Sequence, residues 1–191
     1  MKEQEPNQLM EMFEKTVRGE IQMPSAVCID GDIDKACRQR FCAELDMAAG
    51  LSKDGEVDVY VTSCGGSVEE LMLMITEMEK VRVAFGVNVN TIAEGYAYSG
   101  GAMLVALGDH RSAQPNTMLM IHDVQLGISK GTLREHRLID IHARKQQRII
   151  EKKMAKRAGK TPAEIRKLWD VYLTGDEAMK AGLIDEVIVY E

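Results

Sequence analysis

Val57-Asp58-Val59-Tyr60-Val61-Thr62-Ser63-Cys64-Gly65-Gly66-Ser67-Val68-Glu69-Glu70-Leu71 holds a strand, a turn and the start of a helix. Val57, Val59 and Val61 alternate with other residues, the period of a half-buried strand. Ser67 and Glu70 have the spacing of a capping box. They predict a helix that turns Val68, Leu71, Met72, Ile75 and Met78 inward. Strand, turn and helix recur along the chain, and that alternation predicts an α/β domain.

Upstream, Pro24 leads into a predicted strand over 26–29. Asp32 is the expected cap of a helix whose apolar face is Ile33, Cys37, Phe41, Leu45 and Ala48. Lys53-Asp54-Gly55 reads as a turn. Downstream, a strand is expected over 85–89, a short apolar helix over 102–107 and a strand over 118–121. Gly127 and Gly131 bracket a segment read as flexible. A long charged helix is expected over 132–157, with Leu133, His136, Ile139, Ile149 and Ile150 periodic and Gly159 as its stop. Thr161-Pro162-Ala163-Glu164 and Thr174-Gly175-Asp176-Glu177 open two further helices, Gly182 stops the second, and a strand closes the chain over 185–189. Residues 1–20 are charged, with Leu9, Met12, Phe13 and Val17 at helical spacing, and read as a short amphipathic helix or an arm. No linker or repeat divides 21–191, which is taken as one domain.

The chain has 191 residues and a net charge of −6, which argues against a nucleic-acid partner. The uncharged stretch over 95–108 falls short of the roughly 20 apolar residues that span a bilayer, so no membrane role is expected. Met1-Lys2-Glu3-Gln4-Glu5-Pro6 is unlike a secretory signal. Cys28, Cys37, Cys42 and Cys64 contain no Cys-x-x-Cys pair and read as buried free thiols. A reducing, cytoplasmic setting follows.

The chemistry centres on Gly95-Tyr96-Ala97-Tyr98-Ser99-Gly100-Gly101-Ala102 and on His122, which follows Met118-Leu119-Met120-Ile121. Alone, a serine between glycines is usually a turn or a cap, and a histidine after an apolar strand is usually a core or edge residue. Together they suit a nucleophile and the base that takes its proton. The helix start beside Ser99 offers free N–H groups to a developing oxyanion. His136 and His142 read as packing on the long helix, and His110 as solvated. The methionines near 71–74 and 118–120 read as core filler, with a hydrophobic specificity pocket as the alternative. The run Arg144-Lys145-Gln146-Gln147-Arg148 reads as a solvated face or an inter-subunit contact. Cys64 reads as structural.

From Pro24 to Val189 the chain resembles the ClpP family, the proteolytic subunits of the Clp protease. The likeness rests on several motifs in order. These are Ser63 to Gly66, the Gly95 to Gly101 elbow, Pro115-Asn116 before Met120-Ile121-His122, Ile141-His142-Ala143-Arg144, and Asp170-x-Tyr172-Leu173-Thr174. Glu177-Ala178 and Gly182-Leu183-Ile184-Asp185 complete the set.

The resemblance implies stacked ββα units of the ClpP/crotonase type with a protruding handle helix. It implies Ser99 as nucleophile, His122 as base, Asp170 as the carboxylate orienting the imidazole, and the N–H groups of Gly66 and Gly100 as the oxyanion hole. It further implies two stacked heptameric rings of identical subunits, fed with unfolded polypeptide by an ATP-driven AAA+ unfoldase. No cofactor is expected. Nor is ATP binding, because no Gly-x-x-x-x-Gly-Lys-Ser/Thr loop is present.

The chain also departs from the family pattern. The approach to Asp170 is several residues shorter, Cys64 replaces a proline, Asp123 follows His122, and the N-terminal arm lacks an apolar run. Asp123 is a substitute carboxylate for the base, and Asp170 could instead be a helix-end or surface group. Two other functions fit the same residues: a weak or inactive ring subunit with a scaffolding role, and a crotonase-type acyl-CoA enzyme.

Overall fold

A computed structural model describes residues 26–127 and 130–189, so the arm expected over 1–20 lies outside the described residues. β1 (Ala26–Asp30) buries Val27 and Ile29 and turns Cys28 outward. Ile33 then stays extended and bridges to Gly66. That pairing delays helix α1 (Lys35–Leu51), whose cap is Asp34 rather than Asp32. The Asp34 carboxylate accepts from Cys37 N at 2.8 Å.

β2 (Glu56–Ser63) buries its three valines on one face, as the alternation predicts. α2 (Val68–Phe85) is capped by Ser67, which accepts from Glu70 N at 3.3 Å. The Glu70 carboxylate does not close the box; it accepts from Arg38 Nε at 2.9 Å and ties α2 to α1. α2 runs through Phe85 and ends on Gly86, whose φ of 69° suits a left-handed cap. The strand expected from 85 therefore begins later, as β3 (Asn88–Tyr98).

Among the described residues one seven-stranded sheet forms. β1, β2, β3, β4 (Arg111–Ala113) and β7 (Glu186–Val187) lie side by side in that order, all parallel. The α/β expectation is met, since helices connect strands of a largely parallel sheet. β3 forks. Residues 91–93 pair with β4, whereas residues 96–98 pair with β5 (Met118–Ile121). Gly95, at φ 65°, lies between the two halves. β6 (Val171–Thr174) adds to β5 antiparallel.

β4 and β6 are strands that the sequence pattern does not predict. Arg111 is buried and binds Asp185, while His110 is exposed as expected, against Glu186.

α3 (Gly100–Val105) is buried throughout. α4 (Leu133–Ala158) starts on a capping box from Thr132 and Glu135. α5 (Pro162–Arg166) and α6 (Gly175–Lys180) do the same from Thr161/Glu164 and Thr174/Glu177. Ile150, Met154 and Ala155 seat the second half of α4 in the core. Its first half is bare: Leu133 is 90% exposed, and Leu138, Ile139 and Ile141 are exposed too.

The cysteines depart from the expectation of burial. Cys37 is buried, but Cys28 faces outward on β1 and Cys64 lies on the exposed lip of a turn. Burial pushes the half-buried Cys42 thiol up to about 11, with the nearby Glu77 carboxylate adding to it.

Candidate active site

β3 delivers Ser99 to the start of α3. Its N–H donates to Met120 O at 2.7 Å, which docks it on the neighbouring β5. Ser99 has φ 51° and ψ −121°. A positive φ costs a residue with a Cβ, so the surrounding structure must hold this elbow.

The tightest of those contacts comes from Gly65, a residue not singled out from sequence. A Cβ there would meet Gly100 N and Ser99 Cβ, both at 2.7 Å. Gly66 follows, and its own Cβ would strike Ile33 O at 2.3 Å. Gly65-Gly66 is thus a backbone wedge between Ile33 and the Ser99 elbow. Among the described residues neither Gly66 N nor Gly100 N donates to an acceptor, so both N–H groups are available as oxyanion donors. The double glycine was the sequence signal for this wedge.

β5 ends at Ile121 and presents His122. The β5–β6 register pairs Met118 with Thr174 and Ile121 with Val171. His122 directly follows β5 and Asp170 directly precedes β6, at the same end of the pair. Asp170 N donates to Ile121 O at 2.7 Å, and Asp170 takes φ 59°. Ser99, His122 and Asp170 therefore stand on the ends of three adjacent strands, β3, β5 and β6, in that order.

The side chains are not linked in series. Among the described residues no hydrogen bond joins Ser99 to His122 or His122 to Asp170. His122 Nδ1 lies 2.6 Å from Asp123 O. A carbonyl only accepts, so Nδ1 carries a proton, and in the neutral ring Nε2 is the nitrogen left with a lone pair. That is the tautomer a general base needs.

The Asp123 carboxylate faces elsewhere. It accepts from Gln147 Nε2 at 2.6 Å, and Gln147 Oε1 accepts from Val124 N at 3.2 Å. The substitute suggested by sequence thus acts on His122 through its backbone carbonyl rather than its side chain. Asp170 is exposed.

A cavity of about 410 Å³ opens beside Ser99, Gly66, Gly100 and His122. Leu71, Met103, Ile139, His142, Ala143 and Gln146 are among its other lining residues. His142 is therefore a cavity residue, not only a packing residue of α4. The methionine that reaches the cavity is Met103, outside both runs singled out from sequence. Gln146 is buried, unlike the solvated face that its run suggests as one reading, beside an inter-subunit contact. It lies four residues from His142 and seven from Ile139, so helical spacing puts all three on one face. Arg144 fits the solvated reading, paired with Asp140 at 2.8 Å.

Among the described residues no group of His, Cys, Asp or Glu is placed to hold a metal ion. No described helix is long and apolar enough to cross a membrane.

The family model for Clp protease matches residues 10–191. The chain is 32% identical over 162 residues to the ATP-dependent Clp protease proteolytic subunit 1 of Rhodococcus jostii, covering 83% of this chain and 72% of that protein. It is 30% identical over 162 residues to proteolytic subunit 2 of Corynebacterium jeikeium, covering 83% and 76%. With proteolytic subunit 1 of Corynebacterium glutamicum it shares 27% over 190 residues, covering 97% and 85%.

Proposed function

The chain belongs to the Clp protease family, and from that premise we propose that it is a serine endopeptidase subunit acting on unfolded polypeptides. The observation that supports this reading is the placing of Ser99 and His122 at the ends of adjacent strands beside the cavity, with Asp170 at the neighbouring end of β6.

Ser99 Oγ attacks the scissile carbonyl carbon while His122 Nε2 takes its proton. The carbonyl oxygen becomes an oxyanion held by Gly66 N–H and Gly100 N–H. The C–N bond then breaks, His122 returns the proton to the leaving amine, and an ester to Ser99 remains. Water, deprotonated by the same imidazole, attacks the ester carbonyl; the C–Oγ bond breaks, the acid leaves and His122 returns the proton to Ser99 Oγ. In this scheme Asp170 turns from solvent to His122 Nδ1 and displaces Asp123 O, because a carboxylate stabilises the imidazolium far better than a carbonyl does. No cofactor enters any step.

The working form is taken to be two stacked heptameric rings around a chamber, fed by an ATP-driven AAA+ unfoldase in the cytoplasm, with residues 21–191 as one domain. The bare apolar residues on the first half of α4 support burial against other copies. A specific observation favours a second reading, a catalytically weak ring subunit: His122 Nδ1 is held by Asp123 O, and Asp170 is exposed.

Hydrolysis assays separate the two. On the endopeptidase reading the purified protein cleaves a short unstructured peptide, Ser99→Ala abolishes cleavage, and a stably folded protein survives unless an unfoldase and ATP are supplied. Cleavage that persists in Ser99→Ala refutes the assignment. Absence of cleavage by folded wild type selects the scaffolding reading.

A further inference from the structure

Gln146 is 9% exposed and lines the cavity beside Ser99. Neither end of its amide has a hydrogen-bond partner among the described residues. Its neighbour Gln147 differs, since both of its ends are engaged, by Asp123, Val124 and Glu151. Its unpaired amide is not fully enclosed but opens on the cavity, so a ligand that covers it must supply the missing hydrogen bonds or leave it buried and unpaired.

The surroundings restrict that ligand. Leu71, Met103 and Ala143 are buried and make an apolar collar. No Lys or Arg lines the cavity, and Glu69 and Asp123 stand at its exposed edge. An acidic side chain would meet only like charge there. A side chain that threads an apolar stem through the collar and offers both a donor and an acceptor at its tip satisfies Gln146 completely. Glutamine matches on length and chemistry, and asparagine on chemistry.

We propose that Gln146 makes this subunit select neutral amide side chains, glutamine before asparagine, at the residue whose carbonyl Ser99 attacks. The proposal rests on the peptidase reading and assigns the substrate class of that same site. An aliphatic side chain in this position would bury the Gln146 amide without a partner. Sites that read a polar group by hydrogen bonding reject analogues lacking it more strongly than apolar pockets reject a missing methylene.

The test uses assembled wild-type protein and matched fluorogenic peptides differing only in that residue: Gln, Asn, Leu or Lys. Ser99 is first labelled with a fluorophosphonate, to show that the site works. The expected kcat/KM for Gln exceeds that for Leu by about tenfold. Gln146→Leu, shown to be folded by a thermal melt, should reverse the order, raising Leu and lowering Gln. Should Gln146→Leu not fold, Gln146→Met, of similar length without the amide, is read in the same way. A wild type that labels and cleaves but prefers Leu or Lys overturns the proposal and leaves the peptidase reading intact. So does a Gln/Leu ratio unmoved by either variant. A folded wild type that neither labels nor cleaves removes the peptidase reading, and this proposal with it.

Discussion

Gly65→Ala tests the wedge behind the nucleophile. The added Cβ would lie 2.7 Å from both Gly100 N and Ser99 Cβ. Unbonded carbon atoms rest about 3.5–4.0 Å apart, so the turn and the elbow must separate by about 1 Å. Gly65 also has φ 96°, and forcing a Cβ into positive φ costs about 1–2 kcal/mol on its own. With the clash, the expected loss of stability is about 2–4 kcal/mol.

Gly55→Ala isolates the backbone part. It has φ 79° and nothing within 4 Å of a built Cβ, so about 1 kcal/mol is expected. The elbow displacement has a second consequence. A misplacement of about 1 Å in a catalytic constellation lowers rate by about 10²-fold. Urea titration reads the stabilities, and the fluorophosphonate labelling rate, measured below the transition, reads the site. If Gly65→Ala is no less stable than Gly55→Ala and labels at the wild-type rate, the wedge has no such role.

Asp109 accepts from Arg82 at 2.5 Å and from Val89 N at 2.8 Å, and forms an ion pair with Arg157 at 2.7 Å. Burial works upward on its carboxyl, but the Val89 N–H and the two guanidinium groups outweigh it and hold the value below the usual carboxylate range. A lowered folded value means the stabilisation is full above the unfolded pKa of about 3.9 and drains as pH falls through the folded one. Asp109→Asn should therefore cost about 1–3 kcal/mol at pH 7 in urea titrations and flatten the acid limb of stability below about pH 4. Met154 is fully buried in the core, so Met154→Ala should lower stability by about 2–5 kcal/mol in the same assay. Leu138→Ser with Ile141→Ser, both exposed on α4, should reduce the particle mass in light scattering while the helical circular dichroism signal persists; an unchanged mass would remove α4 from the assembly interface.

Much of the fold is legible because its signals are local. The strand over 118–121, the caps at Thr161 and Thr174, and the valine alternation of β2 each declare themselves within a few residues. What escapes is set by distant partners. Asp34 replaces Asp32 as a cap because Ile33 is drawn into pairing with Gly66, more than thirty residues on. Arg111–Ala113 is too short to show a period, and becomes a strand because β3 and β7 flank it.

The candidate site divides in the same way. Ser99 and His122 stand out through their glycine and strand contexts. Asp170 needs the antiparallel β5–β6 pairing to be seen at the same strand ends as His122. Gln146 hides in a charged run, since nothing in its neighbours reveals that the inward face of α4 covers a cavity.

The most direct measurement is intact-protein mass spectrometry after fluorophosphonate treatment, comparing wild type, Ser99→Ala and Asp170→Ala. The account predicts one adduct per wild-type chain, none on Ser99→Ala, and slower labelling of Asp170→Ala. An adduct that survives in Ser99→Ala, or none on folded wild type, would contradict it.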